Sequence, residues 1–191
     1  MVVNEEHRWE APGSLELVRT LLNTGLPPRG DDGHDRLLDL RADPARWAAT
    51  FPGVRVPTRR QAAELMELRD GLLRLLAAPP APEDAAWLGG RFERTGLGIR
   101  VGVEDGVLAV GPAAPAGSGL AGAVVEAVAE AVAGGTRSRL RRSPDCRLVF
   151  WDRTRNASKV WCGMYAGADG RACGSIAKVR RYRARRAGTT A

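Results

Sequence analysis

From Leu140 to Arg186 the chain reads LRRSPDCRLVFWDRTRNASKVWCGMYAGADGRACGSIAKVRRYRARR, and this stretch decides how the rest is understood. Arg147–Asp152 is a short strand, built around residues that favour pleated backbone. Arg153–Ser158 is polar and turn-like, with Asn156 suited to a tight bend. Val160-Trp161-Cys162 returns as a second strand, Gly163–Ala172 is a glycine-rich loop, and Ser175 caps a final helix over Ile176–Arg186. Steps of 100° per residue put Ile176 and Val179 on one side of that helix. Lys178, Arg181 and Arg185 fall within about 60° of one another on the opposite side. The expectation is a small ββα module with an apolar seam backed by a basic ridge. Basic residues in a last helical turn are also favoured by the helix dipole, which accounts for two or three charges but not for the whole run.

Charge separates this stretch from the rest. Residues 137–186 hold 15 of the 29 Lys and Arg residues and only Asp145, Asp152 and Asp169 as acids, a net +12. The remainder holds 14 basic and 19 acidic residues, a net −5. A basic tail on an acidic body points to a polyanionic partner for the tail. The basic residues are interleaved with aromatics and cysteines, unlike a simple solvated charge run.

All three cysteines, Cys146, Cys162 and Cys173, fall in the same stretch. About fifty residues with few apolar groups lack a core of their own and need a staple, which inside a cell is usually zinc. Closed structural zinc takes four ligands, however. There is no fourth cysteine, and His7 and His34 lie far away in sequence. Three cysteines do not make a secreted disulfide framework, no apolar leader stands within Met1–Glu10, and no stretch approaches the ~20 apolar residues of a membrane span. A cytoplasmic protein without membrane contact is expected.

The first 136 residues read as mostly helical. Leu15, Val18 and Leu22 recur at helical spacing within Ser14–Thr24. Asp31–Leu40 is read as a loop leading into a short apolar segment. Asp43-Pro44 starts a short helix carrying Trp47. Thr58 caps the clearest helix, Arg59 to Leu76, with Ala62, Leu65, Leu68, Leu72 and Leu75 as its apolar stripe. Glu83–Arg94 is a further helix, weakened by Gly89-Gly90. Leu97–Val103 and Val107–Val110 form a hairpin about Asp105-Gly106. The loop Gly111–Gly119 leads to an Ala- and Val-rich helix, Leu120–Ala133, and Gly134-Gly135 opens the hinge to the basic module. Asn23, Thr24 and the loop Arg29–His34 are candidates for a pocket, although helix capping and turn chemistry account for them more simply. Trp9, Trp47 and Trp87 are expected as core anchors.

These residues resemble a known family. Pro144-Asp145-Cys146, Asp152-Arg153-Thr154-Arg155-Asn156, Trp161-Cys162-Gly163-Met164, Cys173-Gly174 and Ala177-Lys178-Val179-Arg180 are similar to the CGNR zinc-finger proteins. Those proteins carry an N-terminal ABATE domain, which Leu21-Leu22-Asn23-Thr24 and Asp35–Leu40 resemble. The resemblance implies an α+β chain: an ABATE-like, mostly helical sensor domain with a small β-hairpin over residues 1–136, then a CGNR zinc-finger-like ββα module over 137–191. It implies a stress-response transcription regulator, with zinc held by Cys146, Cys162 and Cys173. DNA would be contacted by Arg153, Arg155, Lys159, Lys178, Arg180, Arg181, Arg183, Arg185 and Arg186, and the N-terminal domain would sense a ligand or partner.

The sequence departs from the family's pattern. The first of four family cysteines falls five residues before the one matched by Cys146, where Arg141 stands. The family's Cys-Gly-Asn-Arg is Cys173-Gly174-Ser175-Ile176, and Tyr165–Ala172 is an insertion. Zinc could persist with a water, with Asp145 or Asp169, or with a partner's residue as fourth ligand. Alternatively the finger is degenerate and metal-free, its cysteines packed as small apolar residues, and the module binds a protein or RNA. No HExxH, phosphate loop or GxSxG motif occurs, and no histidine stands near Cys162 to activate it, so an enzyme is not expected.

Overall fold

A computed structural model describes residues 9–25, 35–163 and 173–188. The chain is α+β, with a helical N-terminal region, a small two-stranded hairpin and a C-terminal β-β-α module. The helices are α1 (Leu15–Asn23), α2 (Arg36–Ala42), α3 (Pro44–Thr50), α4 (Arg59–Leu75), α5 (Pro82–Thr95), α6 (Gly119–Ala133) and α7 (Cys173–Gly188). The strands are β1 (Gly98–Glu104), β2 (Val107–Ala113), β3 (Leu140–Arg142) and β4 (Val149–Trp151). No helix among the described residues is long and apolar enough to cross a membrane.

The helix starts follow from local chemistry. Thr58 and Gln61 form a reciprocal capping box on α4, with the Thr58 amide donating to Gln61 Oε1 at 2.9 Å. Asp43 accepts from the amides of Ala45 and Arg46, with Pro44 at the first helical position of α3. The expected stripe on α4 is buried throughout: Ala62, Leu65, Leu68, Leu72 and Leu75. It meets α1 through Leu15, Val18, Leu21 and Leu22, and α6 through Leu120, Val124 and Val128. Trp87 of α5 lies directly over Gly71, where an added Cβ would come within 1.9 Å of the indole ring. A side chain at residue 71 would therefore displace α5 from α4.

Two expectations in this region are corrected. The segment read as a loop ending at Leu40 contains α2, because Asp35 caps it through the Leu37 amide at 2.9 Å and Leu37 is fully buried. One cap and one buried residue are too little periodicity to announce a seven-residue helix. Strand β2 runs to Ala113, past the expected end at Val110, with Pro112 paired opposite Ile99. A two-stranded sheet has only edges, where proline costs no ladder bond. Asp105 (φ 50°) and Gly106 (φ 80°) make the left-handed turn between β1 and β2.

The N-terminal helices and the C-terminal module share a core through β4. Side chains alternate across a strand. Val149 and Trp151 accordingly join Leu140 in the helical core, while Phe150 turns the other way, onto Cys162 and Cys173. The outer edge of β4 is also bound. Asn23 at the end of α1 donates to the Val149 carbonyl at 3.0 Å and accepts from the Val149 amide at 2.8 Å, taking the place of a neighbouring strand. The Trp151 amide donates to the carbonyl of Trp9 at 3.1 Å.

The expected second strand at 160–162 is also corrected: β4 pairs instead with β3, which precedes it, in the register Leu140↔Trp151 and Arg142↔Val149. The connection closes tightly, with the Ser143 amide donating to the Leu148 carbonyl at 2.9 Å and the Arg147 amide to the Ser143 carbonyl at 2.9 Å. Arg147 takes the left-handed conformation at φ 62°. A strand spelled Leu-Arg-Arg offers no apolar alternation, so its pairing is not visible beforehand. The last helix begins at Cys173, so Ser175 lies inside it rather than capping it.

Candidate metal centre and basic helix

Three separate segments deliver the cysteines to one point. Cys146 lies within the tight β3–β4 connection, Cys162 follows the irregular return segment, and Cys173 opens α7. Their sulfur atoms all lie within 4.8 Å of one another, and Cys146 Sγ and Cys162 Sγ are 3.4 Å apart. None is in a disulfide. Cys162 and Cys173 are buried. The segments are held by backbone and aromatic bonds: the Gly174 amide donates to the Gly163 carbonyl at 2.8 Å, and Trp9 Nε1 to the Cys162 carbonyl at 2.9 Å.

The three thiols do not titrate alike. Hydrogen bonding with Cys162 dominates at Cys146 and, helped by the Leu148 amide, holds its thiol down at about 5 against the opposing effect of burial. Cys162 is pushed up, first by its bond to Cys146 and then by burial. Cys173 is pushed up by burial and then by Cys146. Three convergent, mostly buried sulfurs form a donor set suited to zinc, whose tetrahedral thiolate sites place sulfurs about 3.8 Å apart. Cys146, Cys162 and Cys173 would hold the ion, which when bound would cross-link three segments of the chain.

Asp145, considered for the fourth position, and Arg141, at the position the resemblance gives to a cysteine, are both otherwise occupied. Asp145 is paired with Arg180 at 3.0 Å. Arg141 donates to the Ala157 carbonyl. Asp169, like the loop Arg29–His34, lies outside the described residues.

The basic residues divide into two groups. On α7, Lys178, Arg180, Arg181, Arg183 and Arg185 are all exposed. Arg180 makes the ion pair with Asp145, and the side chain of Arg186 lies outside the described residues. No ion pair joins Lys178, Arg181 or Arg183 to another described residue. In the turn after β4, Arg153 and Arg155 are exposed, and Arg153 donates to the Glu10 carbonyl at 3.1 Å. Lys159 is half-buried, with its ammonium 5.2 Å from the centre of the Phe150 ring.

Asp152 is the residue that sequence reasoning passed over. It is fully buried and organises the 152–159 turn. It accepts from the Thr154 amide at 2.8 Å, the Thr154 hydroxyl at 2.6 Å and the Lys159 amide at 2.7 Å. Burial raises its carboxyl, but these hydrogen bonds and the Arg141 charge outweigh burial and hold it below the usual carboxylate range. Arg139 clamps the same turn through the carbonyls of Asp152 at 3.0 Å and Thr154 at 2.7 Å. Asp-x-Thr directly after an apolar strand is a readable Asx-turn signal.

Elsewhere, Asn23 and Thr24 line a cleft of about 610 Å³ together with Arg19, Thr20, Arg36 and Arg46. The Asn23 amide also binds β4, a role that neither the pocket reading nor the helix-capping reading of this residue included.

Three convergent thiols able to hold a metal, inside a small β-β-α unit, are the pattern of a zinc-finger class of module. Residues 137–186 match the family model described as CGNR zinc finger. That span takes in β3, β4 and all three cysteines, and it reaches to Arg186 in α7. No curated protein matches the chain. A finger of this kind, with a cysteine cluster able to bind a metal, is consistent with a nucleic-acid-binding or regulatory role.

Proposed function

We propose that the protein is a cytoplasmic, DNA-binding transcription regulator of the stress-response type. In this reading the zinc-bound C-terminal module grips the duplex, and the helical, ABATE-like part senses a ligand or partner. It acts by binding and not as an enzyme. The observation that carries the reading is the exposed cationic face of α7, fixed at its first residue by the buried sulfur of Cys173. A helix of 16 residues is about 24 Å long. The B-DNA major groove, about 12 Å wide, admits a helix. Lys178, Arg181 and Arg185 along one ridge suit phosphate contacts, which position a protein on DNA without reading its sequence. Arg153 and Arg155 in the turn after β4 are further candidates for contact. The cleft beside Asn23, lined by Arg19, Arg36, Asp39 and Arg46, supports the sensing role.

The test is charge reversal on the ridge. Lys178→Glu combined with Arg181→Glu should weaken duplex binding on the order of 10- to 100-fold for every sequence tried, and flatten the salt dependence by about one unit for each phosphate no longer neutralised. Arg60→Glu, on the exposed face of α4, serves as the control and should leave affinity unchanged. Equal affinity of the double variant and the parent would count against α7 as the contact surface.

A further inference from the structure

Among the buried polar side chains, Ser143 stands out. The residue is 0% exposed, and its hydroxyl has no hydrogen-bond partner among the described residues. Buried hydroxyls almost always find a partner, so an orphan needs an explanation, and service as a metal ligand is one of the usual ones. The position of Ser143 is informative. It opens the tight turn that carries Cys146, with Arg147 in the left-handed conformation next to that cysteine. Ser143-Pro144-Asp145-Cys146 therefore has the two-residue gap of the Cys-x2-Cys knuckles that present paired ligands to zinc, with oxygen in place of the first sulfur. The Arg147 amide closes this turn on the Ser143 carbonyl at 2.9 Å, so the buried hydroxyl and the Cys146 sulfur are carried by one short loop.

We propose that Ser143 Oγ is the fourth ligand, completing a Cys3Ser zinc centre with Cys146, Cys162 and Cys173. The sulfurs coordinate as thiolates, any protons they still carry pass to solvent when the ion binds, and the serine coordinates as a neutral hydroxyl. The site is then closed without water or a partner's residue. An oxygen donor makes it weaker for zinc than a four-sulfur site of the same shape.

The assignment rests on reading the three cysteines as a zinc centre, and the test separates the two ideas. Zinc affinity of the full chain is measured by chelator competition, and cobalt(II) is used as a spectroscopic replacement. The parent should take up one ion per chain. Ser143→Ala should lower zinc affinity at least 10-fold and change the cobalt ligand-field bands. Ser143→Cys should raise affinity above the parent and add the charge-transfer intensity of a fourth thiolate. Parent-like affinity and cobalt spectra in Ser143→Ala, or no added thiolate band in Ser143→Cys, would overturn the assignment while leaving the three-cysteine centre intact. No metal uptake by the parent would overturn both.

Discussion

Cys162→Ala, or removal of metal by a chelator, is expected to release α7 while leaving the helical body folded. The reason lies in the division of the core at β4. Val149 and Trp151 belong to the large cluster with Leu21, Leu65 and Val124, which does not depend on the cysteines. Among the described residues, Phe150, Cys162 and Cys173 form a small second buried cluster, with Trp9, Cys146, Leu148 and Trp161 half-buried against it. So small a cluster cannot offset the entropy of ordering the return segment and α7, each residue of which costs roughly 1–2 kcal/mol of backbone freedom. A structural zinc ion supplies on the order of 10–16 kcal/mol at neutral pH in small fingers, enough to close that gap. Circular dichroism should therefore lose the signal of one helix and keep the rest. Proteolysis should open within 160–188, and duplex affinity should drop at least about 100-fold. An apo protein that keeps α7 protected would show that apolar packing alone holds the module.

The second large effect is expected at Arg69. Its side chain is buried in α4 and holds Asp35 through two bonds, at 2.8 and 2.6 Å. It also reaches Asp70 at 3.0 Å and Thr24 Oγ1 at 3.3 Å. One guanidinium thereby joins the end of α1, the cap of α2 and the middle of α4. Removing one partner of such a pair leaves an uncompensated buried charge and costs about 3–5 kcal/mol. Arg69→Met should lower the melting temperature by roughly 10–15 °C, measured calorimetrically. The pair also sets a pH dependence. Burial raises the Asp35 carboxyl, but bonds from Arg69 and the Leu37 amide outweigh it, and the folded value lies below the unfolded one. The resulting stability is present above the ordinary aspartate value near 3.9 and is lost as pH falls through the lower folded value. The parent should lose stability below about pH 4 more steeply than Arg69→Met.

Much of this architecture was legible because its signals are local. The capping residues Thr58 and Asp43, the stripe on α4 and the Asp105-Gly106 turn each act within a few residues, and each element formed where they stand. The three cysteines were also legible as a group, since they share one charged stretch and the structure brings them together. Long-range features were not. The partner of β4 is a strand of two arginines and a leucine, chosen by the turn at 143–148 and not by its own pattern. Asn23 could be placed at a helix end from sequence, but its pairing with a strand 126 residues away could not. Ser143 was hidden for a different reason. Serine is common in turns, and only burial without a hydrogen-bond partner distinguishes this one. The position five residues before Cys146, where the family keeps a cysteine, holds Arg141, which is engaged with the Ala157 carbonyl.

The most direct test of the account is the binding of the zinc-loaded chain to a short DNA duplex across a series of salt concentrations. If the ridge of α7 replaces counterions on the phosphates, the logarithm of the association constant should fall linearly with the logarithm of salt, with a slope of about −3 or steeper. Failure to bind at low salt, or binding indifferent to salt, would contradict it.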